Sequence, residues 1–294
     1  MDPGLAGPVT KVKETLLSLF SSREKEFKTV WRIEKQGPTG YLAGTAHFFP
    51  YRFKRSLSVH IGKARRVLFE GPLDEKSLKR VVDRGSEGGG GEAIYEALDS
   101  LTKGKIKRLL SPSPPEWSSF SLLRTRGQAP QDPLYLWFKN LRPWLAFLQI
   151  WSQFLKGQGW KYSVDLEALE VANQLGKEVY FLETIEEQVE ALEGVPVERY
   201  VNYLKKFDHW EEYAREHARH YLDGDSERFL SFTAEFPTRC PSIVENRDRV
   251  FFERMKVHLD REETIAFFGL IHMQGIKRML REEGYSVTPL EEGK

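Results

Sequence analysis

From Thr29 onward, short apolar runs alternate with stretches of helical periodicity, behind a polar lead-in of residues 1–28 that holds one amphipathic stretch, Val12 to Phe20. Tyr41 to Ala46 reads as a strand running out into Gly44-Thr45-Ala46-His47, after which Leu57, Ile61 and Ala64 recur at helical spacing. Val67-Leu68-Phe69 is a second strand and ends at Glu70. Strand, helix, strand in that order predicts a right-handed parallel crossover. The middle of the chain is looser. Arg84 to Gly91 is too rich in glycine for a helix, Glu92 to Leu110 is helical by the spacing of Ile94, Leu98 and Leu101, and Ser111 to Glu116 is a proline-rich break. Residues 133–155 are aromatic-rich and form two helical segments split at Pro143. Residues 92–160 are thus expected to be a helical insertion covering one face of the sheet.

Alternation then returns. Ser163 caps a helix whose Leu166, Leu169, Ala172 and Leu175 are expected to face inward, with Gly176 as its stop. Val179 to Leu182 is a strand ending at Glu183, and residues 198–222 read as one long helix with Tyr200, Tyr203, Phe207, Trp210, Ala214 and Tyr221 on its seam. Asn246 to Leu259 is helical, Ile265 to Ile271 is a strand ending at His272, Ile276 to Glu283 is a helix, and Tyr285 to Leu290 is a last strand. Strands alternating with helices predict an α/β fold: a mixed, mostly parallel sheet flanked by helices, in a single domain over residues 29–291.

Composition narrows the function. The chain has 294 residues, with 44 Lys and Arg against 43 Asp and Glu. A balance so close to neutral argues against a nucleic-acid partner, which usually demands a basic face. The single cysteine, Cys240, excludes an intramolecular disulfide framework and any CxxC metal knuckle. No signal peptide is visible, and the most apolar stretch, Pro143 to Leu155, is too short to span a bilayer, so a cytoplasmic protein with no membrane span is expected.

His47, Glu70, Glu183 and His272 each sit at the carboxyl end of an apolar strand, the edge at which open α/β sheets gather functional residues. The histidines share a frame, Gly44-Thr45-Ala46-His47 and Gly269-Leu270-Ile271-His272, in which glycine allows a tight turn or a close approach. With 23 glycines and 7 histidines in the chain, about 0.5 such frames are expected by chance, so the match is a hypothesis that strand-end placement strengthens. Two imidazoles and a carboxylate suit a hydrolytic metal site with an open position for water. Zinc, manganese and cobalt all accept such ligands. Glu183 is the expected general base. No H-E-x-x-H helix is present. His217 and His220, three apart on the aromatic seam, read as packing; Cys240 has no signature of a nucleophile; and glycines 88–91 do not form a phosphate loop.

These frames, with a glutamate after a strand between them, resemble the TraB/GumN family, to which the TIKI metalloproteases are related. The stretches that carry the resemblance are YLAGTAH (41–47), RRVLFEGPLDE (65–75), RPWLAFLQI (142–150), SVDLEALEVANQLGKEVYFLETIEEQ (163–188), NRDRVFFERM (246–255) and AFFGLIHMQGIKRMLREEGYSV (266–287). The resemblance implies a metal held by His47, Glu70 and His272. It also singles out Arg247, which could stabilise an oxyanion, and the acidic positions Asp165 and Glu183. Where many members read Glu-Leu-Asp, this chain reads Glu70-Gly71-Pro72 with Asp74 displaced beyond them. The expected function is a metal-dependent, peptidase-like hydrolase acting on a peptide or small molecule. The alternative is a non-catalytic protein that binds or sequesters a peptide or ligand in the same pocket.

Overall fold

Parallel strands converge their carboxyl ends on one edge of a six-stranded sheet of order β4-β3-β5-β2-β1-β6, in a computed structural model that describes residues 24–111 and 132–290. The strands are β1 (Val30–Glu34), β2 (Gly40–Thr45), β3 (Arg66–Phe69), β4 (Glu178–Phe181), β5 (Thr264–Gly269) and β6 (Ser286–Pro289). β4, β3, β5 and β2 run parallel, while β1 pairs antiparallel with both β2 and β6. β5 is buried along its whole length, as expected of a central strand covered on both faces. The architecture is α/β with a mixed, mostly parallel sheet. The Val12–Phe20 stretch and most of the proline-rich 111–116 break lie outside the described residues.

The helices are α1 (Lys54–Gly62), α2 (Glu75–Ser86), α3 (Glu92–Ala97), α4 (Ser100–Leu110), α5 (Pro133–Lys139), α6 (Pro143–Gly157), α7 (Val164–Gln174), α8 (Ile185–Glu193), α9 (Val197–Lys205), α10 (Trp210–Asp223), α11 (Ser226–Phe232), α12 (Glu245–Leu259) and α13 (Met273–Glu282). The buried residues form one continuous apolar cluster from Phe27 to Val287. The aromatic residues around Pro143 belong to it: Phe147 packs on Tyr200 and Tyr203, and Phe154 on Trp210, so α6 is a core helix.

Several expectations need correction. The Arg84–Gly91 loop begins only after α2 ends at Ser86, and the 92–110 helix breaks at Leu98, where Asp99 caps α4 by accepting from the Thr102 amide. The 198–222 helix is also two, α9 and α10, joined by a tight 3-10 turn at Phe207–His209; the Trp210 indole donates to the Tyr203 carbonyl across the break. β5 stops at Gly269, and residues 270–272 form a 3-10 turn. The most consequential correction is α7. Leu166 and Leu175 face solvent, and the inward face is Val164, Asp165, Glu167, Ala168, Val171 and Ala172. Small residues let α7 lie close to α1, and that rotation carries two acids inside.

Candidate functional site

Register explains why residues far apart in sequence meet at the sheet edge. Thr45 pairs with Gly269, and Phe69 pairs with both Phe267 and Phe181, so all four strands end at nearly the same level. His47, Glu70, Glu183 and the His272 turn are the residues that follow. The Glu183 amide also donates to the Glu70 carbonyl at 2.7 Å, tying the outgoing chains together. The glycines of the two frames permit close approach and are not turn-makers, since neither has positive φ. A side chain on Gly44 would strike Leu270 of the other frame, and Gly269 gives its amide to Glu70 Oε1 at 2.6 Å.

Arg247, in the first turn of α12, lies at the centre. Its Nη2 donates to Glu70 Oε2 at 2.8 Å, and its Nε and Nη2 grip both oxygens of Glu183 at 2.9 and 2.5 Å. Its Nη1 lies 3.4 Å from His272 Nε2, and its guanidinium stacks 4.9 Å from the Phe251 ring centre. Glu183 is 1% exposed at its side chain, so this is a buried ion cluster, where each charge depends on the others for compensation. Although burial pushes the Glu70 carboxyl up, the Arg247 guanidinium beside it pulls it down to about 2. Burial opposes the charge on Arg247, and Glu70 and Glu183 more than restore it.

Each histidine of the two frames meets an aspartate through Nδ1. His47 Nδ1 is 2.8 Å from Asp165 Oδ2, and His272 Nδ1 is 2.6 Å from Asp248 Oδ1. Their exposures differ sharply: the His47 side chain is 67% exposed and that of His272 is 1% exposed. The Asp165 charge raises His47 to about 9, so it carries a proton at neutral pH. Burial pushes the Asp248 carboxyl up.

The loop that carries His47 is pinned at its other end too. Glu167, two residues beyond Asp165 on α7, accepts from Arg52 Nε at 3.0 Å and from the Phe53 amide at 2.7 Å. Phe49 and Tyr162 bridge the loop between these anchors.

The structure therefore gathers His47, Glu70, Glu183, Arg247 and His272 at one edge. It does not arrange His47, Glu70 and His272 as a ligand set: among the described residues no group of three His, Cys, Asp or Glu side chains is disposed to hold a metal ion. The guanidinium of Arg247 occupies the space against Glu70 and His272, and an arginine cannot shed its charge to admit a dication. As they stand, these residues do not fit a divalent metal. Both oxygens of Glu183 accept from Arg247. The displaced acid Asp74 caps α2, its Oδ1 accepting from the Ser77 amide at 3.0 Å.

A family model for the TraB/PrgY/gumN family matches residues 29–289. This chain belongs to that family. No curated protein matches it. The match spans every strand of the sheet and the whole of the Arg247 cluster. No described helix is long and apolar enough to cross a membrane.

Asp248 and Glu167 escaped the sequence reading. Asp248 follows Arg247 directly in Asn246-Arg247-Asp248, and an acid on a helix's first turn has an ordinary explanation in the helix dipole. His217 and His220 are packing residues, as read, His220 lying on Phe232. His217 lies between the Trp160 and Phe229 rings, with burial lowering it to about 4, and His258 lies on Tyr180. Cys240 is buried beside Ser242.

Proposed function

We propose that this chain is a hydrolase of peptide or amide bonds, with its reaction between the exposed imidazole of His47 and the guanidinium of Arg247. The observation that supports this reading is the gathering of His47, Glu70, Arg247 and His272, from opposite ends of the chain, at the one sheet edge where loops leave a crevice. A substrate entering beside His47 meets a proton donor at Nε2, since Nδ1 is engaged by Asp165. His47 gives its proton to the leaving nitrogen as water adds to the carbonyl carbon and the C–N bond breaks, and the proton that the added water sheds returns to the His47 nitrogen left bare, a role that general acid–base groups fulfil with gains of about 10²–10⁴ in rate. Arg247 faces the negative charge that develops on the carbonyl oxygen, with Glu70 and Glu183 fixing its plane. Glu183 then serves as the anchor of Arg247 and not as the base. Small esters or amides present the same groups and use the same edge.

The zinc, manganese or cobalt ion expected from the sequence would need Arg247 to withdraw from Glu70 before His47, Glu70 and His272 could close on it. What favours it is the pair of aspartate–imidazole contacts, the arrangement that orients metal-bound histidines elsewhere.

A second reading is a non-catalytic protein that binds or sequesters a peptide. It is favoured by the commitment of both glutamates to Arg247, whose charge lowers the readiness of Glu70 to take a proton from water. One experiment separates the two. Wild-type protein and His47→Gln are incubated with a pool of unmodified peptides, and the products are read by mass spectrometry. Hydrolysis predicts new peptide termini with wild type and about a hundredfold fewer with His47→Gln. Peptides retained on the protein but uncut support sequestration. Equal cleavage by both proteins rules out the His47 assignment.

A further inference from the structure

The two frame histidines have different surroundings, and the difference assigns them different duties. His272 is sealed from solvent, and its two ring nitrogens face unlike partners. Nδ1 faces a carboxylate oxygen of Asp248, and Nε2 faces the Nη1 of Arg247. A guanidinium has donors and no acceptor, so Nε2 must be the bare nitrogen and Nδ1 the protonated one. Glu70 Oε1, at 3.7 Å, is too far to take a hydrogen from Nε2. The Phe251 ring stands edge-on to the imidazole at 5.2 Å and closes its remaining side.

Asp248 in turn sits in a notch that only glycine can make. A Cβ at Gly275 of α13 would lie 1.9 Å from Asp248 Oδ2. Gly275 lies within a helix, where alanine is the better helix former, so its small size serves the approach of Asp248.

We propose that Asp248, seated against Gly275, and His272 form a relay that positions Arg247, so that His272 is a positioning residue and the substrate is met by His47 and Arg247 alone. Asp248 holds the proton on Nδ1; the bare Nε2 then accepts from Nη1 and fixes the rotation of the guanidinium on Glu183 and Glu70. No proton is transferred along the relay. The functional half of this proposal rests on Arg247 as the group that meets substrate, but its test needs no substrate and so fails separately from the hydrolase reading.

The test is the ring tautomer of His272 in the resting protein, read by long-range proton–nitrogen correlation on histidine-labelled protein and assigned with His272→Gln. The expected spectrum is a single neutral tautomer with the proton on Nδ1. Asp248→Ala and Gly275→Ala should each mix the tautomers. Each should also speed solvent exchange of the Arg247 Nε hydrogen by about tenfold, the change that one lost hydrogen bond to a charged group brings to an opening equilibrium. Asp165→Ala, the equivalent change at the other histidine, should leave that hydrogen as it is. A proton on Nε2 in the wild-type protein overturns the relay even if no variant folds. Unchanged exchange at Arg247 in both folded variants overturns it as well.

Discussion

Arg247 binds two carboxylates and faces an imidazole with one guanidinium, so the charge balance of the site depends on that side chain. Truncating it strands Glu70 and Glu183 as buried anions. Arg247→Ala should lower stability to urea by about 3–5 kcal/mol, the range for breaking a buried ion pair from one side. A loss within experimental error would mean that the cluster is wetter than its burial implies. The same variant should bind zinc or manganese more tightly than the wild-type protein, because it frees Glu70 and removes a fixed cation. Calorimetric titration of the two proteins checks this, and a tighter wild-type site would show that Arg247 and the metal do not compete. Acid acts on the cluster in a defined direction. Glu70 is held below its ordinary 4.5 at about 2. Its contribution to stability is therefore complete above pH 4.5 and is lost as pH falls from 4.5 toward 2. Denaturant midpoints should fall across that window in the wild-type protein and fall less steeply in Glu70→Gln. At this scale His47, Glu70, Glu183 and His272 were legible because each follows an apolar strand. Asp165 was singled out only by the family resemblance, and Asp248 not at all, because an acid in a helix's first turn looks the same whether or not it turns inward to a histidine.

Among the elements, α7 does most to hold the exposed histidine. Asp165 takes its ring, Glu167 takes the far end of its loop, and both acids are buried because Ala168, Val171 and Ala172 bring α7 onto α1. Glu167→Ala should release the loop and leave the sheet intact. Hydrogen exchange at the Phe53 amide should then rise well above wild type while amides of β5 keep their protection; unchanged exchange at Phe53 would mean the loop is held elsewhere. The spacing of Leu166, Leu169, Ala172 and Leu175 suggested a face rotated from the one that is buried: Ala172 is inside and Leu169 half-buried, but Leu166 and Leu175 face solvent, since leucines mark the inward face only when nothing else competes. Here small side chains and two partnered acids won that face. The 198–222 seam misled in another way. Tyr200, Tyr203, Trp210, Ala214 and Tyr221 are buried as the spacing requires, yet the backbone breaks at Phe207–His209, where no proline or glycine announces it. α8 starts on a reciprocal capping box that Thr184 and Glu187 form directly after Glu183. Thr184→Ala should cost about 1 kcal/mol in thermal or urea unfolding.

The parallel order β4-β3-β5-β2 brings the ends of segments spread from Gly40 to Gly269 to one level. Sequence patterning found those strands because each holds a short apolar run, fully buried in the central β5 and half-exposed in the edge strand β4. It missed β1 because Val30-Trp31-Arg32-Ile33-Glu34 mixes charge into a short strand that no motif follows. What patterning cannot supply is the distance between groups on different strands. Of the three residues that suggested a metal, Glu70 and His272 both face Arg247, whose guanidinium lies between them. In the proposed reaction, water is added across a substrate bond at this edge by His47 and Arg247. The most direct measurement is cleavage in water enriched in oxygen-18, using whichever peptide or amide the pool assay identifies. Wild-type protein should leave one heavy oxygen in each new carboxyl end, and His47→Gln should leave the substrate essentially uncut. Heavy-oxygen incorporation by His47→Gln at the wild-type rate would contradict the account.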